Sequence, residues 1–176
     1  MIFIPCVVHK SEVILEYCCS RTIFVKFLHY VPVGIQIIST GKESSNNSLG
    51  KSLSSLWNCS DAIKTDGLAV LVAECKSGIG SDGIQSVIDG RTDVERLKKP
   101  SQYIDGMENL LYMDEIQKKF QLGLLSILPT HYSKKLNMIP FNGIKQVMDH
   151  ILKNQGQKQK VKVISDGARI LLRQNS

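Results

Sequence analysis

Glu74, Cys75, Lys76 and Ser77 follow directly on an unbroken apolar run, Leu68 to Ala73, and lead into Gly78-Ile-Gly-Ser-Asp-Gly83. They place a carboxylate, a thiol, an ammonium and a hydroxyl at one chain reversal, beside glycines that permit positive φ and close backbone approach. Glu74 either accepts hydrogen bonds from loop N–H groups or faces a cleft, and a structural carboxylate is the simpler role. Cys75 beside Lys76 has the local charge of an activated thiolate. No histidine is placed to pair with it, so a packed, inert thiol is the better reading. Lys76, together with Lys51 from a second loop-to-helix junction, could meet an anionic ligand in a shared cleft; two solvated surface lysines are the alternative. Asn47, Lys51, Glu74, Lys76, Gly78 and Gly80 are the resulting candidate contacts for a substrate or cofactor. No catalytic residue and no metal ligand is assigned.

Gly78-Ile-Gly-Ser-Asp-Gly83 satisfies G-x-G-x-x-G between a strand and a helix, which is the dinucleotide-binding pattern. Four residues, Glu74 to Ser77, intervene between strand and first glycine, and the position about 20 residues on falls near Asp105, ahead of a helix rather than at a strand end. A loop whose glycines serve backbone geometry is therefore preferred to an NAD site. His9, His29, His131 and His150 are too dispersed for a metal-ligand spacing. His131 follows a strand through Pro129-Thr130 and either reaches the cleft or lies on the surface.

Alternating strands and helices must position these groups. Residues 1–32 carry short apolar runs at Ile2 to Val8, Val13 to Leu15 and Ile23 to Leu28, which read as edge strands or as a non-native start. Gly34 to Ser39 predicts a strand, and Ser48 caps a helix on which Leu49, Leu53, Leu56, Trp57 and Ile63 recur, with Gly67 as its C′ residue. Leu68 to Ala73 has no polar side chain, as expected of a strand buried on both faces of a parallel sheet. Ile84 to Ile88 and the charged connector Arg91 to Lys99 predict short helices, and Met107 to Phe120 a longer one. Leu122 to Leu128 predicts a second buried strand, His131 to Leu136 a single turn, and Met138-Ile139 a short strand. Asn142 caps a helix ending at Gly156, and Val161 to Ser165 predicts a strand that returns through Asp166-Gly167 in a hairpin-like way. The fold class expected is α/β: three layers, a mostly parallel sheet flanked by helices, Rossmann-like, with a small extra β segment at the N-terminus and the main domain over 33–176.

With 176 residues, 43% hydrophobic and 22% charged, the chain can bury a sizeable core. The net charge of +6 is spread from Lys10 to Arg173, and the densest cluster, Lys153 to Lys162, lacks aromatics. That argues against nucleic acid as a partner. Five cysteines form no C-x-x-C pair, which suits a reducing compartment. No run is long enough to span a membrane, and the short apolar opening lacks the basic flank of a secretory leader. A soluble, cytoplasmic protein is expected.

Ile38-Ser-Thr-Gly41, Asn47-Ser-Leu-Gly-Lys-Ser-Leu-Ser-Ser-Leu-Trp-Asn58 and Asp66-Gly-Leu-Ala-Val-Leu-Val-Ala-Glu-Cys-Lys-Ser-Gly-Ile-Gly-Ser81 resemble successive motifs of the C-terminal domain of the nickel-dependent (nickel-pincer) lactate racemase family. Gly123 to Pro129 and Val163-Ile-Ser-Asp-Gly167 resemble its later strands, so the likeness covers roughly 33–173. It implies a two-domain α/β architecture with a nickel-pincer nucleotide in the cleft, where the proton-shuttling and nickel-ligating histidines and the tethering lysine come from an N-terminal domain without counterpart in this sequence. The family's C-terminal domain commonly offers the cleft a glutamine and, three residues later, a lysine; Lys51 and Ser54 stand there instead. Gly41-Lys42 replaces a frequent glycine pair. The resemblance thus implies a C-terminal domain or fragment of a 2-hydroxy-acid racemase or epimerase-like protein. Such a piece would be inactive alone, carry no cofactor by itself, and depend on a catalytic domain on another chain. A non-enzymatic binding or regulatory module for a small anionic ligand or a protein partner is the alternative.

Overall fold

A computed structural model describes residues 2–5, 12–18, 21–41, 44–98, 102–155 and 160–174, with side chains over 31–41, 44–98, 102–154 and 160–172. Strand β1 (Ile2–Pro5) lies at the edge of a parallel sheet. Strands β2 (Glu12–Cys18) and β3 (Arg21–Tyr30) form an antiparallel pair outside that sheet. The main sheet continues with β4 (Val33–Ser39), β5 (Ile63–Val72), β6 (Gln121–Leu125), β7 (Ile139–Phe141) and β8 (Lys160–Ile164). Its order is β1-β8-β4-β5-β6-β7, with every neighbouring pair parallel. The five strands from β8 to β7 are flanked by helices on both faces, which makes a three-layer, Rossmann-like α/β fold.

The alternation of side chains along each strand decides what each layer buries. Ala69 and Leu71 of β5 join Ile38, Leu122 and Leu124 under the helices α1 (Leu49–Cys59), α2 (Asp82–Ile88), α3 (Val94–Leu97) and α4 (Met107–Gln117). Leu68 and Val70 face the other way, with Ile35, Ile37 and Val161, toward Val147 and Ile151 of α6 (Ile144–Gln155). The short α5 (Thr130–Lys135) joins β6 to β7. Leu68, Leu71, Leu53 and Leu56 are no more than 1% exposed, and each such burial contributes about 1.5–3 kcal/mol before entropy is counted.

Three expectations are corrected. Gly67 does not end a helix: α1 stops at Cys59, a 3-10 turn covers Ser60–Ala62, and β5 begins at Ile63. The polar stretch Lys64 to Asp66 disguised this strand's start. Asp66 takes φ 62, and a Cβ at Gly67 would lie 2.6 Å from the Gly34 carbonyl oxygen, so the glycine is required by strand-to-strand approach at an irregularity in the β4–β5 register. Second, the chain does not return along β8 in a hairpin. After a 3-10 turn at Gly167–Arg169 it enters β9 (Ile170–Gln174), which pairs in parallel with β3 and completes a three-stranded sheet, β2-β3-β9. Third, the longer helix ends at Gln117 and β6 ends at Leu125, so both are shorter than their apolar patterns. The expected helix stop at Gly156 lies outside the described residues.

Candidate functional site

The C-terminal ends of β4 and β5 carry two loops stitched together. Cys75 N–H donates to Asn46 O at 2.9 Å and Ser77 N–H to Asn47 O at 2.8 Å. Asn46 Oδ1 accepts from Glu74 N–H at 2.7 Å and from the Thr40 hydroxyl at 3.1 Å, while its amide lies 3.5 Å from Glu74 Oε2. Asn47 Oδ1 accepts from the Ser77 hydroxyl at 2.9 Å. Leu49 N–H and Gly50 N–H, in the first turn of α1, donate to the carbonyls of Gly78 and Ile79 at 3.1 and 2.9 Å. Those donors are the ones a helix N-terminus would offer to a phosphate. Here the glycine loop turns carbonyls on them, so this junction is closed as a nucleotide cradle.

The glycines have distinct roles within that loop. Gly80 has φ +64, and a Cβ there would overlap the Ser48 side chain; at Gly83 a Cβ would lie 2.6 Å from Asp105 O. Gly78 has φ +77 with open space around it. Cys75 is 1% exposed, with φ 58, and its sulfur lies 3.8 Å from Ser52 Oγ. Burial pushes its thiol pKa up, the Ser52 hydrogen bond pulls it back in part, and the Glu74 charge raises it further. The thiol is thus held protonated.

A second grouping lies one strand away. The chain leaves β4 through α1 toward β5 on one side, while β8 sits on β4's other side and feeds the second sheet. The order of strands therefore reverses between β4 and β8, the kind of crevice in which open α/β sheets receive ligands. Gly41, just beyond β4, has φ +80, and a Cβ there would overlap the carboxylate of Asp166, just beyond β8. Asp166 Oδ2 lies 3.8 Å from Arg169 Nε, and both side chains reach solvent. Gly167 is wedged under α1: a Cβ there would lie 3.0 Å from Ser55 Cβ, and its carbonyl accepts from the Asn58 amide at 3.0 Å. Lys51 precedes these two contacts by four and seven residues, so its Cα stands on the same stripe of α1, and its side chain is exposed.

Of the sequence candidates, Asn47, Glu74, Lys76, Gly78 and Gly80 belong to the stitched loops. Lys51 belongs to the first turn of α1, four and seven residues before Ser55 and Asn58, which touch the turn after β8. Glu74, Lys51 and Lys76 are exposed. Sequence reasoning missed Asn46, the strut between the loops, and Asp166 and Arg169. The signal for Asp166 was the one that singled out Glu74, a carboxylate directly after a buried strand. His131 on α5 is exposed and His150 on α6 is half-buried, and they pack edge-on against Tyr132 and Phe141 respectively. Among the described residues no three His, Cys, Asp or Glu side chains gather as a metal site, and no helix is long and apolar enough to cross a membrane.

Fold and crevice together define an α/β domain of the open parallel-sheet class with a polar edge at its topological switch point. Within that class, the fold is similar to that of the lactate racemase apoprotein from Thermoanaerobacterium thermosaccharolyticum, with a TM-score of 0.71 and 19% sequence identity. The match covers 85% of this chain and 37% of the racemase, so the chain spans well under half the length of that protein. No family model matches the sequence, and no curated protein does either.

Proposed function

We propose that this chain is a C-terminal domain or fragment of a 2-hydroxy-acid racemase or epimerase-like protein, forming one wall of a ligand cleft whose reactive groups are supplied by a separate catalytic domain. The observation that carries the reading is the switch-point edge, with Lys51 on the α1 stripe beside the turn after β8, in a fold matching one part of a racemase. An ammonium there suits the carboxylate of a small hydroxy acid.

A nickel-pincer nucleotide does not fit the described residues as sole host. They gather no metal-ligating cluster, and the first N–H donors of α1 are already taken by Gly78 and Ile79. This chain's part is to bind and orient the substrate. The test mixes the purified chain with a nickel-loaded catalytic domain of the racemase type and follows lactate racemisation by chiral chromatography. Turnover only in the mixture, lost in Lys51→Ala, is the expected result. Racemisation by the chain alone would overturn its role as one half of a site. Lactate-induced shifts at the sheet edge without any turnover in the mixture would favour the simple anion-binding module.

A further inference from the structure

Away from the strand ends, the helical layer formed by α2, α3, α4 and α5 leaves a slot that its own side chains do not fill. Val87 of α2, Val94 of α3, Leu110 and Met113 of α4, and Leu136 just after α5 line a cavity of about 180 Å³. Leu110, Met113 and Leu136 are at most 5% exposed, so the lining is largely apolar. An apolar cavity of about 150 Å³ accepts a benzene ring, which sets the size of group that fits here. A larger depression of about 430 Å³ adjoins the slot, and Val87, Val94 and Lys135 line both. Its charged residues are Arg91, Arg96 and Lys135 against one carboxylate, Asp93. That carboxylate caps α3, accepting from Arg96 N–H at 2.8 Å. Arg91 is held by Asp89 at 2.8 Å, and Asp114, at the slot, is engaged by Lys98 and Lys118 at 3.2 Å each. Lys135 is exposed, and among the described residues no carboxylate lies within ion-pair distance of it. A cation in the last turn of α5 suits the helix dipole, but the dipole does not call for an apolar slot beside it.

We infer that this groove binds a small amphipathic acid, with an apolar group of about benzene size in the slot and its carboxylate paired with Lys135. Burial of the ring supplies affinity, and an ammonium without a carboxylate of its own gains one with no existing ion pair broken. A neutral ring compound keeps only the first contribution and a small anion only the second. An exposed ion pair by itself is worth little, so the two act together. The larger depression falls in the roughly 300–1,000 Å³ range of small-molecule pockets, which favours a small acid over a protein as occupant. The groove lies on the helical layer rather than at the β4–β8 crevice, so it stands or falls independently of the racemase-like reading.

The experiment titrates phenylacetate, phenylacetamide and acetate separately into the full chain, following backbone amide shifts of Val87, Val94 and Leu136. These probes separate ring from charge. Phenylacetate is expected to bind about fivefold tighter than phenylacetamide at low salt, the worth of a partly exposed ion pair. Acetate is expected not to saturate over the same range. In Lys135→Gln, a substitution at an exposed position, the preference falls toward unity while phenylacetamide affinity stays within about twofold. Val94→Phe, which fills the slot and is checked for native fold by its amide spectrum, is expected to abolish binding of both ring compounds. Equal binding of phenylacetate and its amide by the native chain would overturn the role of Lys135. Phenylacetate binding unchanged in Val94→Phe would overturn the slot, and saturation by acetate as tight as by phenylacetate would reduce the groove to a surface cation. Absence of shifts with phenylacetate would overturn the site altogether.

Discussion

Asn46 Oδ1 accepts the Glu74 backbone N–H at 2.7 Å, across two loops separated by 28 residues of sequence. The same oxygen takes the Thr40 hydroxyl at the end of β4, so a single amide ties the ends of two adjacent strands. Replacing it with Ala leaves the Glu74 N–H and the buried Thr40 hydroxyl without their acceptor. Asn46→Ala should cost about 1–3 kcal/mol of stability. Asn46→Asp should fall between, because it keeps the acceptor but sets a second charge beside Glu74. Urea unfolding of the three proteins checks the order, and equal midpoints would remove Asn46 as the strut.

Gly80 and Gly78 both have positive φ but differ in their surroundings. A side chain at Gly80 meets Ser48 at the start of α1, whereas one at Gly78 meets nothing within 4 Å. Gly78→Ala should cost only the backbone term of about 1–2 kcal/mol, and Gly80→Ala that amount plus a forced shift of the loop against α1. Equal losses in chemical denaturation would show that the loop relaxes freely.

Lys98 of the α3 end and Lys118 of the α4 end both reach Asp114 at 3.2 Å. These two ammonium hydrogen bonds hold the Asp114 carboxyl below its ordinary pKa of 3.8, against a smaller opposing effect of burial. A carboxyl lowered on folding stabilises the fold above its ordinary pKa, and that contribution is lost as pH falls through the lowered value. Because the cluster is near the surface, Asp114→Asn should lose only about 0.5–1 kcal/mol at pH 7. The difference should shrink in 1 M salt and again at strongly acid pH. A loss independent of both would point to packing rather than charge.

How much of this was visible in the sequence follows from the range of the interactions involved. Leu68 to Val72 and Leu122 to Leu125 announce themselves because strands buried on both faces must be apolar without interruption. The strand segment Ile63 to Gly67 does not, since Lys64 to Asp66 face solvent at the sheet's rim and Gly67 imitates a helix stop. β9 was misplaced beside β8 because chain proximity suggests a hairpin, whereas its pairing with β3 joins residues about 144 apart, Lys26 with Ile170. The same limit governs the crevice. Glu74 was legible from its own neighbours, but Asp166 gains meaning only when β8 is known to lie beside β4, and strand order is not written in any local pattern.

Cys75 supplies the prediction with the sharpest pH signature. Burial raises its thiol pKa, the Ser52 hydrogen bond offsets part of this, and Glu74 adds to it. In the unfolded chain the thiol ionises near its ordinary value of 9.0, whereas the folded protein keeps the proton to higher pH. Above that ordinary value the folded state therefore binds more protons than the unfolded one, so stability falls as pH rises. Cys75→Ala loses a small packed group and should be less stable at neutral pH by about 1 kcal/mol. It also loses this particular alkaline slope. Urea unfolding in reducing buffer from pH 7 to pH 10 should show the gap between native and variant closing at the alkaline end, where only the native chain is destabilised by ionisation at this position. Iodoacetamide should label Cys75 in the folded protein only at the rate of transient opening, read from the mass of its peptide. A gap constant across the whole pH range, or rapid labelling in native buffer at pH 7, would mean the thiol is accessible and would reopen the case for a nucleophile beside Lys76.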